Sequence, residues 1–85
     1  MDIIDDIATD SDTFLLKFDN KKSKYDDYIN TINYRVVNIT DPEIIDFYDI
    51  TIIPTICIYK NKNLIETIEG YLTKSELLKK INYTL

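Results

Sequence analysis

The sequence predicts an α/β domain: a mixed four-stranded sheet with helices on both faces, in the order β-α-β-α-β-β-α. Three observations carry this. Short apolar runs alternate with helix-periodic segments through the first half of the chain, the pattern of crossover units. Two helix starts carry their own caps, Asp41-Pro42 and Thr73-x-x-Glu76. Asn61-Lys62-Asn63 separates two apolar runs by a hairpin-length turn.

The elements follow in order. Residues 1–12 are acidic around Ile3, Ile4 and Ile7 and read either as helical turns that belong to the single domain expected over 13–85 or as a loose terminus before it. Thr13 to Phe18 (TFLLKF) reads as a strand. Asp19 to Lys24 is wholly polar and reads as a loop. Tyr25, Tyr28, Ile29 and Ile32 then recur at i, i+3, i+4 and i+7, one apolar helical face. Tyr34 to Ile39 is a second strand. Asp41 can accept a backbone N–H as N-cap, and Pro42 gives up a donor that has no partner in a first turn. Ile44, Ile45 and Tyr48 line one side of the short helix that follows. Thr55 to Tyr59 and Leu64 to Ile68 are the third and fourth strands, antiparallel across the asparagine-containing turn. Gly70 closes the hairpin. In the last helix Thr73 and Glu76 make a capping box, Leu72 and Leu77 a hydrophobic staple, and Leu77, Leu78 and Ile81 a core face. A helix between the first two strands implies that they run parallel.

Composition excludes several classes. The chain has 85 residues, enough for one domain but below the usual ~100–150. Its 15 acidic and 10 basic residues leave a net charge of −5, against the Lys/Arg surplus that nucleic-acid binding needs. With no histidine and one cysteine there is no His-ligated metal, Cys-rich zinc site or internal disulfide. No run reaches ~18 apolar residues, so no membrane span is expected. The acidic start is unlike a signal peptide, and the expected location is intracellular and cytoplasmic, with a virion as the alternative. Charge is split: residues 1–50 hold 12 acids and 5 bases, residues 51–85 hold 3 acids and 5 bases. The plain reading is a solvated acidic face, and a basic partner is the functional one.

The stretch from Tyr34 to Ile81 resembles the carboxy-terminal two-thirds of a thioredoxin. The residues that carry the likeness are Ile53-Pro54-Thr55 at the start of a strand, the polar turn Asn61 to Asn63, Gly70 after the hairpin, and the capped helix from Thr73. The resemblance implies a minimal thioredoxin-like fold with a cis bond at Pro54 and a groove beside it that receives extended peptides by strand addition. It also implies what is missing. In the matching register Ser23 and Asp26 stand where the family has its two reactive cysteines, in the turn Lys22-Ser23-Lys24-Tyr25-Asp26, and Lys17 falls near the family's buried proton-transfer aspartate. Dithiol exchange needs an attacking thiolate and a resolving thiol. A serine without a neighbouring base does not replace them, and this chain has no histidine.

The expectation is therefore a redox-inactive protein that binds another protein, using Lys22, Ser23, Asp26, Ile53, Pro54 and Thr55 as its groove and needing no cofactor. The alternative is an assembly protein, a virion component or homodimer, that uses the acidic face or a sheet edge. A third reading is a monothiol or glutathione-dependent enzyme built on Cys57. Flanked by Ile56 and Ile58 in a strand, Cys57 reads as a small core hydrophobe instead. The seven tyrosines read as core and half-buried positions.

Overall fold

The computed structural model describes residues 12–19 and 34–84. Strand β1 (Thr13–Phe18) is flanked by β2 (Arg35–Ile39), parallel, and by β3 (Thr55–Lys60), antiparallel; β3 pairs antiparallel with β4 (Asn63–Glu69). The sheet order is β2-β1-β3-β4. Across the centre, Leu16 lies opposite Val37 on one side and Cys57 on the other. A strand covered on both faces reads as a continuous apolar run, and TFLLKF does so. Phe14, Leu15, Leu16 and Phe18 are fully buried.

Side-chain alternation splits the interior into two cores. Phe14, Leu16 and Phe18 pack with Ile39, Cys57 and Tyr59 under helix α1 (Pro42–Phe47), which contributes Ile45. Leu15 packs with Ile56, Ile58 and Ile68 under helix α2 (Lys74–Thr84), which contributes Leu77 and Ile81. The two described helices thus cover opposite faces. Each fully buried Phe, Leu or Ile contributes roughly 1.5–3 kcal/mol, and aromatic contacts add to this. The Phe14 and Tyr59 rings stack at 5.2 Å, and Phe18 meets Tyr48 at 5.5 Å.

The local signals act as their chemistry requires. Asp41 Oδ1 accepts the Glu43 N–H at 2.9 Å, with Pro42 opening α1. Thr73 Oγ1 accepts the Glu76 N–H at 3.2 Å while Glu76 Oε1 accepts the Thr73 N–H at 3.3 Å, a closed capping box. Leu72 packs with the core that holds Leu77, completing the staple. Leu78 is only half-buried, because the core-facing stripe of α2 runs through Leu77 and Ile81.

The hairpin differs in detail from its expectation. The turn is two residues, Asn61 (φ 52°) and Lys62 (φ 68°), and Asn63 already belongs to β4. Two consecutive positive φ values match the right-handed twist of the flanking strands, so Lys62 adopts a left-handed backbone that its type disfavours. The expected helix carrying Tyr25, Tyr28, Ile29 and Ile32 lies outside the described residues, as does the segment 1–11. The tyrosine expectation needs correction. Tyr59 is buried and Tyr48 half-buried, but Tyr34, Tyr71 and Tyr83 are exposed. They sit at element ends, where burial depends on neighbours distant in sequence. Among the described residues no helix is long and apolar enough to cross a membrane.

Candidate functional site

The segment between α1 and β3 builds the site. Its start is closed by backbone bonds: the Asp49 N–H donates to Asp46 O at 3.0 Å and the Ile50 N–H to Ile45 O at 3.2 Å. Asp49 takes a left-handed backbone (φ 57°), which aspartate tolerates better than most residues. The chain then runs through Ile52 and Ile53, and the Ile53–Pro54 bond is cis. Pro54 is buried and its carbonyl accepts the Gly70 N–H at 2.8 Å. Thr55 is buried too, and its hydroxyl donates to the Ile52 carbonyl. These two contacts hold the segment from beneath and behind.

Ile53 is what they present. It is 40% exposed, next to Ile52 at 46%. Among the described residues nothing hydrogen-bonds the Ile53 N–H or C=O. Ile53 lines an open groove of about 520 Å³ together with Ile45, Ile50, Glu43 and Asp46, a groove that Pro54 and Thr55 do not line. Of the six candidate groove residues, then, Ile53 is the exposed one, with Pro54 and Thr55 as its buried support. Lys22, Ser23 and Asp26 lie outside the described residues.

A second cleft, of about 280 Å³, opens where α1 leaves β3 and β4 uncovered; Tyr48, Thr51, Tyr59, Thr67 and Glu69 surround it, with Cys57 at its floor. Cys57 is 4% exposed. Burial pushes its thiol up, the Glu69 carboxylate adds to that, and a hydrogen bond with Thr67 opposes it. A thiol held in its neutral form is a poor nucleophile. Among the described residues neither a cation nor a helix start lines this cleft, and Cys57 packs there as part of the core.

One feature escaped the sequence reading. Lys17 and Asp19 are both buried at the end of the central strand, with Nζ and Oδ2 3.8 Å apart. The Asp19 N–H donates to Ile39 O at 3.0 Å, which carries β1 one residue beyond its strand and into the interior. The signal was there: a lysine inside an apolar run, with an acid two residues on and therefore on the same face. The solvated acidic face expected from the charge split is visible around α1. Asp41, Glu43, Asp46 and Asp49 are all exposed, and none forms an ion pair among the described residues.

No family model matches the chain, and no curated protein does. Solved structures do. A mutant thioredoxin from Halobacterium salinarum superposes with a TM-score of 0.79 at 17% identity, covering 95% of this chain and 81% of its own. Mitochondrial thioredoxin 3 from Saccharomyces cerevisiae, in its oxidized form, gives 0.75 at 19% identity, covering 92% and 84%. Thioredoxin from Fasciola hepatica gives 0.74 at 10% identity, covering 96% and 91%. At these identities the likeness is one of fold.

Proposed function

We propose, proceeding from the thioredoxin-like fold of this chain, that it is a redox-inactive module that binds another protein through the lip at Ile53. The observation that carries the reading is the pairing of an exposed Ile53, whose backbone has no hydrogen bond among the described residues, with a buried Pro54 tied to Gly70. A rigid, apolar lip with an unused donor and acceptor is suited to receiving an extended segment by strand addition. Lys22, Ser23 and Asp26 stay candidates on the sequence resemblance alone, outside the described residues, and the reading invokes no cofactor. Redox inactivity rests on the cysteine count: the chain has one, Cys57, and it is buried. Two thiols are needed to reduce a disulfide and release the product.

The test is affinity capture read by mass spectrometry, comparing wild type with Ile53→Asp, alongside a disulfide-reduction assay. A partner held by wild type and lost with Ile53→Asp supports the reading. A partner indifferent to that change, or measurable disulfide reduction, overturns it.

A second reading has its own support. Strand β4 is a sheet edge, and its Leu64 and Ile65 are 52% and 39% exposed. Natural edges are usually guarded by lysine, proline or bulges that turn the edge away. β4 carries neither lysine nor proline but does carry a register irregularity against β3 at Ile58 and Tyr59, so it is the exposed Leu64 and Ile65 that favour self-association along this edge. Sedimentation across a concentration series decides it: a strict monomer removes the homodimer form of the reading.

A further inference from the structure

We infer that the β4 edge and the α2 surface beside it form a two-fold interface that takes a second copy of this chain; this rests on the reading of β4 as a self-associating edge and is independent of the Ile53 lip. Among the described residues β4 has a neighbouring strand on one side only, β3. Its other side presents the backbone N–H and C=O groups of an edge strand, with Leu64 and Ile65 exposed along it. Next to Glu66 of β4 an open groove of about 450 Å³ runs to α2, where Glu76, Lys79, Lys80 and Tyr83 line it. Tyr83 is 93% exposed, a large ring that no described residue covers.

A second copy fits this surface because the groove carries both halves of an ion pair and joins neither. Among the described residues the Glu66 carboxylate accepts only the neighbouring Thr67 N–H, at 3.2 Å. Lys79 and Lys80 are exposed and form no ion pair there. In a two-fold interface residue i meets j and j meets i, so a surface with unmet charges of both signs is complementary to itself. Antiparallel pairing of β4 with its copy continues the sheet and keeps both α2 helices on one side of it, flanking the junction. Glu66 lies opposite Ile58, a member of the core beneath α2, so its side chain is on that same side. Glu66 of each copy then faces Lys79 and Lys80 of the other. Leu64 and Ile65 lose water at the junction, and the two Tyr83 rings fill the space between the helices. The opposed charges fix partner and register more than they supply affinity.

Sedimentation velocity of the full chain over a concentration series gives the dimer dissociation constant. Wild type is expected to be a monomer–dimer system. Leu64→Lys with Ile65→Lys, both at exposed edge positions, is expected to leave only monomer, with circular dichroism verifying the fold. Two further variants reverse the charges: Glu66→Lys in one chain, Lys79→Glu with Lys80→Glu in the other. Each alone places like charges at both contacts and is expected to raise the dissociation constant about tenfold or more. An equal mixture of the two restores opposite charges at both contacts and is expected to dimerise again, within about threefold of wild type. That recovery also shows that both charge variants are folded. A wild type that stays monomeric overturns the inference and the edge reading together, as does a dimer indifferent to Leu64→Lys with Ile65→Lys. A dimer lost in that variant but indifferent to the charge reversals, or a mixture that fails to recover, keeps the edge and overturns its pairing with α2. Association that grows past the dimer with concentration overturns the closed two-fold interface. A dimer abolished by Ile53→Asp and kept by the edge variants moves the contact to the Ile53 lip and overturns the inference, whereas a failed capture at Ile53 leaves this interface standing.

Discussion

The ammonium of Lys17 lies 3.8 Å from the carboxylate of Asp19, and both side chains are buried at the end of the central strand. A buried pair is maintained by mutual compensation, since each charge alone is costly to desolvate. Lys17→Met or Asp19→Asn each leaves the other charge exposed to that cost. Each is expected to lower stability by about 3–5 kcal/mol, read as a shift in the urea midpoint. The double variant Lys17→Met with Asp19→Asn is expected to be less damaging than the sum of the two. A sum that is simply additive would show that the two charges are not energetically coupled.

Cys57 yields a pH prediction. Its thiol is pushed up from an ordinary value of 9.0, first by burial. The folded state therefore holds the proton to higher pH than the unfolded chain does. The sign follows: nothing is lost below the ordinary thiol range, and stability falls as pH rises above it. Wild type should lose stability between neutral and alkaline pH more steeply than Cys57→Ala, whatever the baseline cost of the lost packing. The same burial predicts slow labelling of Cys57 by a thiol reagent at neutral pH, accelerating only with denaturant.

The capping box of α2 is testable by itself. Thr73→Ala removes the acceptor for the Glu76 N–H and is expected to cost about 1 kcal/mol. Glu76→Ala then adds little on top, because Thr73 and Glu76 act on each other. Thermal melts of the single and double variants check this.

Gly70 has φ 81° and donates to Pro54 O at 2.8 Å. A Cβ there would meet nothing within 4 Å, so Gly70→Ala carries a backbone cost without a clash. About 1–2 kcal/mol is expected from the left-handed conformation alone. A cost well above this would show that the Gly70–Pro54 contact had also been displaced, and capture of a partner would then weaken together with stability.

What the sequence by itself determined was everything encoded within a few residues. Asp41-Pro42, the Asn61-Lys62 turn, Gly70 and the Thr73–Glu76 box each work through a bond or a φ angle inside their own segment, so their chemistry could be read without a fold. The strand cores were legible because alternation and apolar runs are local too, and the order of Ile53-Pro54-Thr55, turn, glycine and capped helix carried the resemblance. Tertiary structure decided the rest. Lys17 and Asp19 are buried at the end of a strand that β2 and β3, from far along the chain, place at the sheet's interior. Ile53 is exposed while Pro54 and Thr55 are not, because Gly70 from the far end of the hairpin ties the Pro54 carbonyl down. Tyr59 is buried and Tyr83 is exposed for the same kind of reason. Burial is a property of which distant segments arrive.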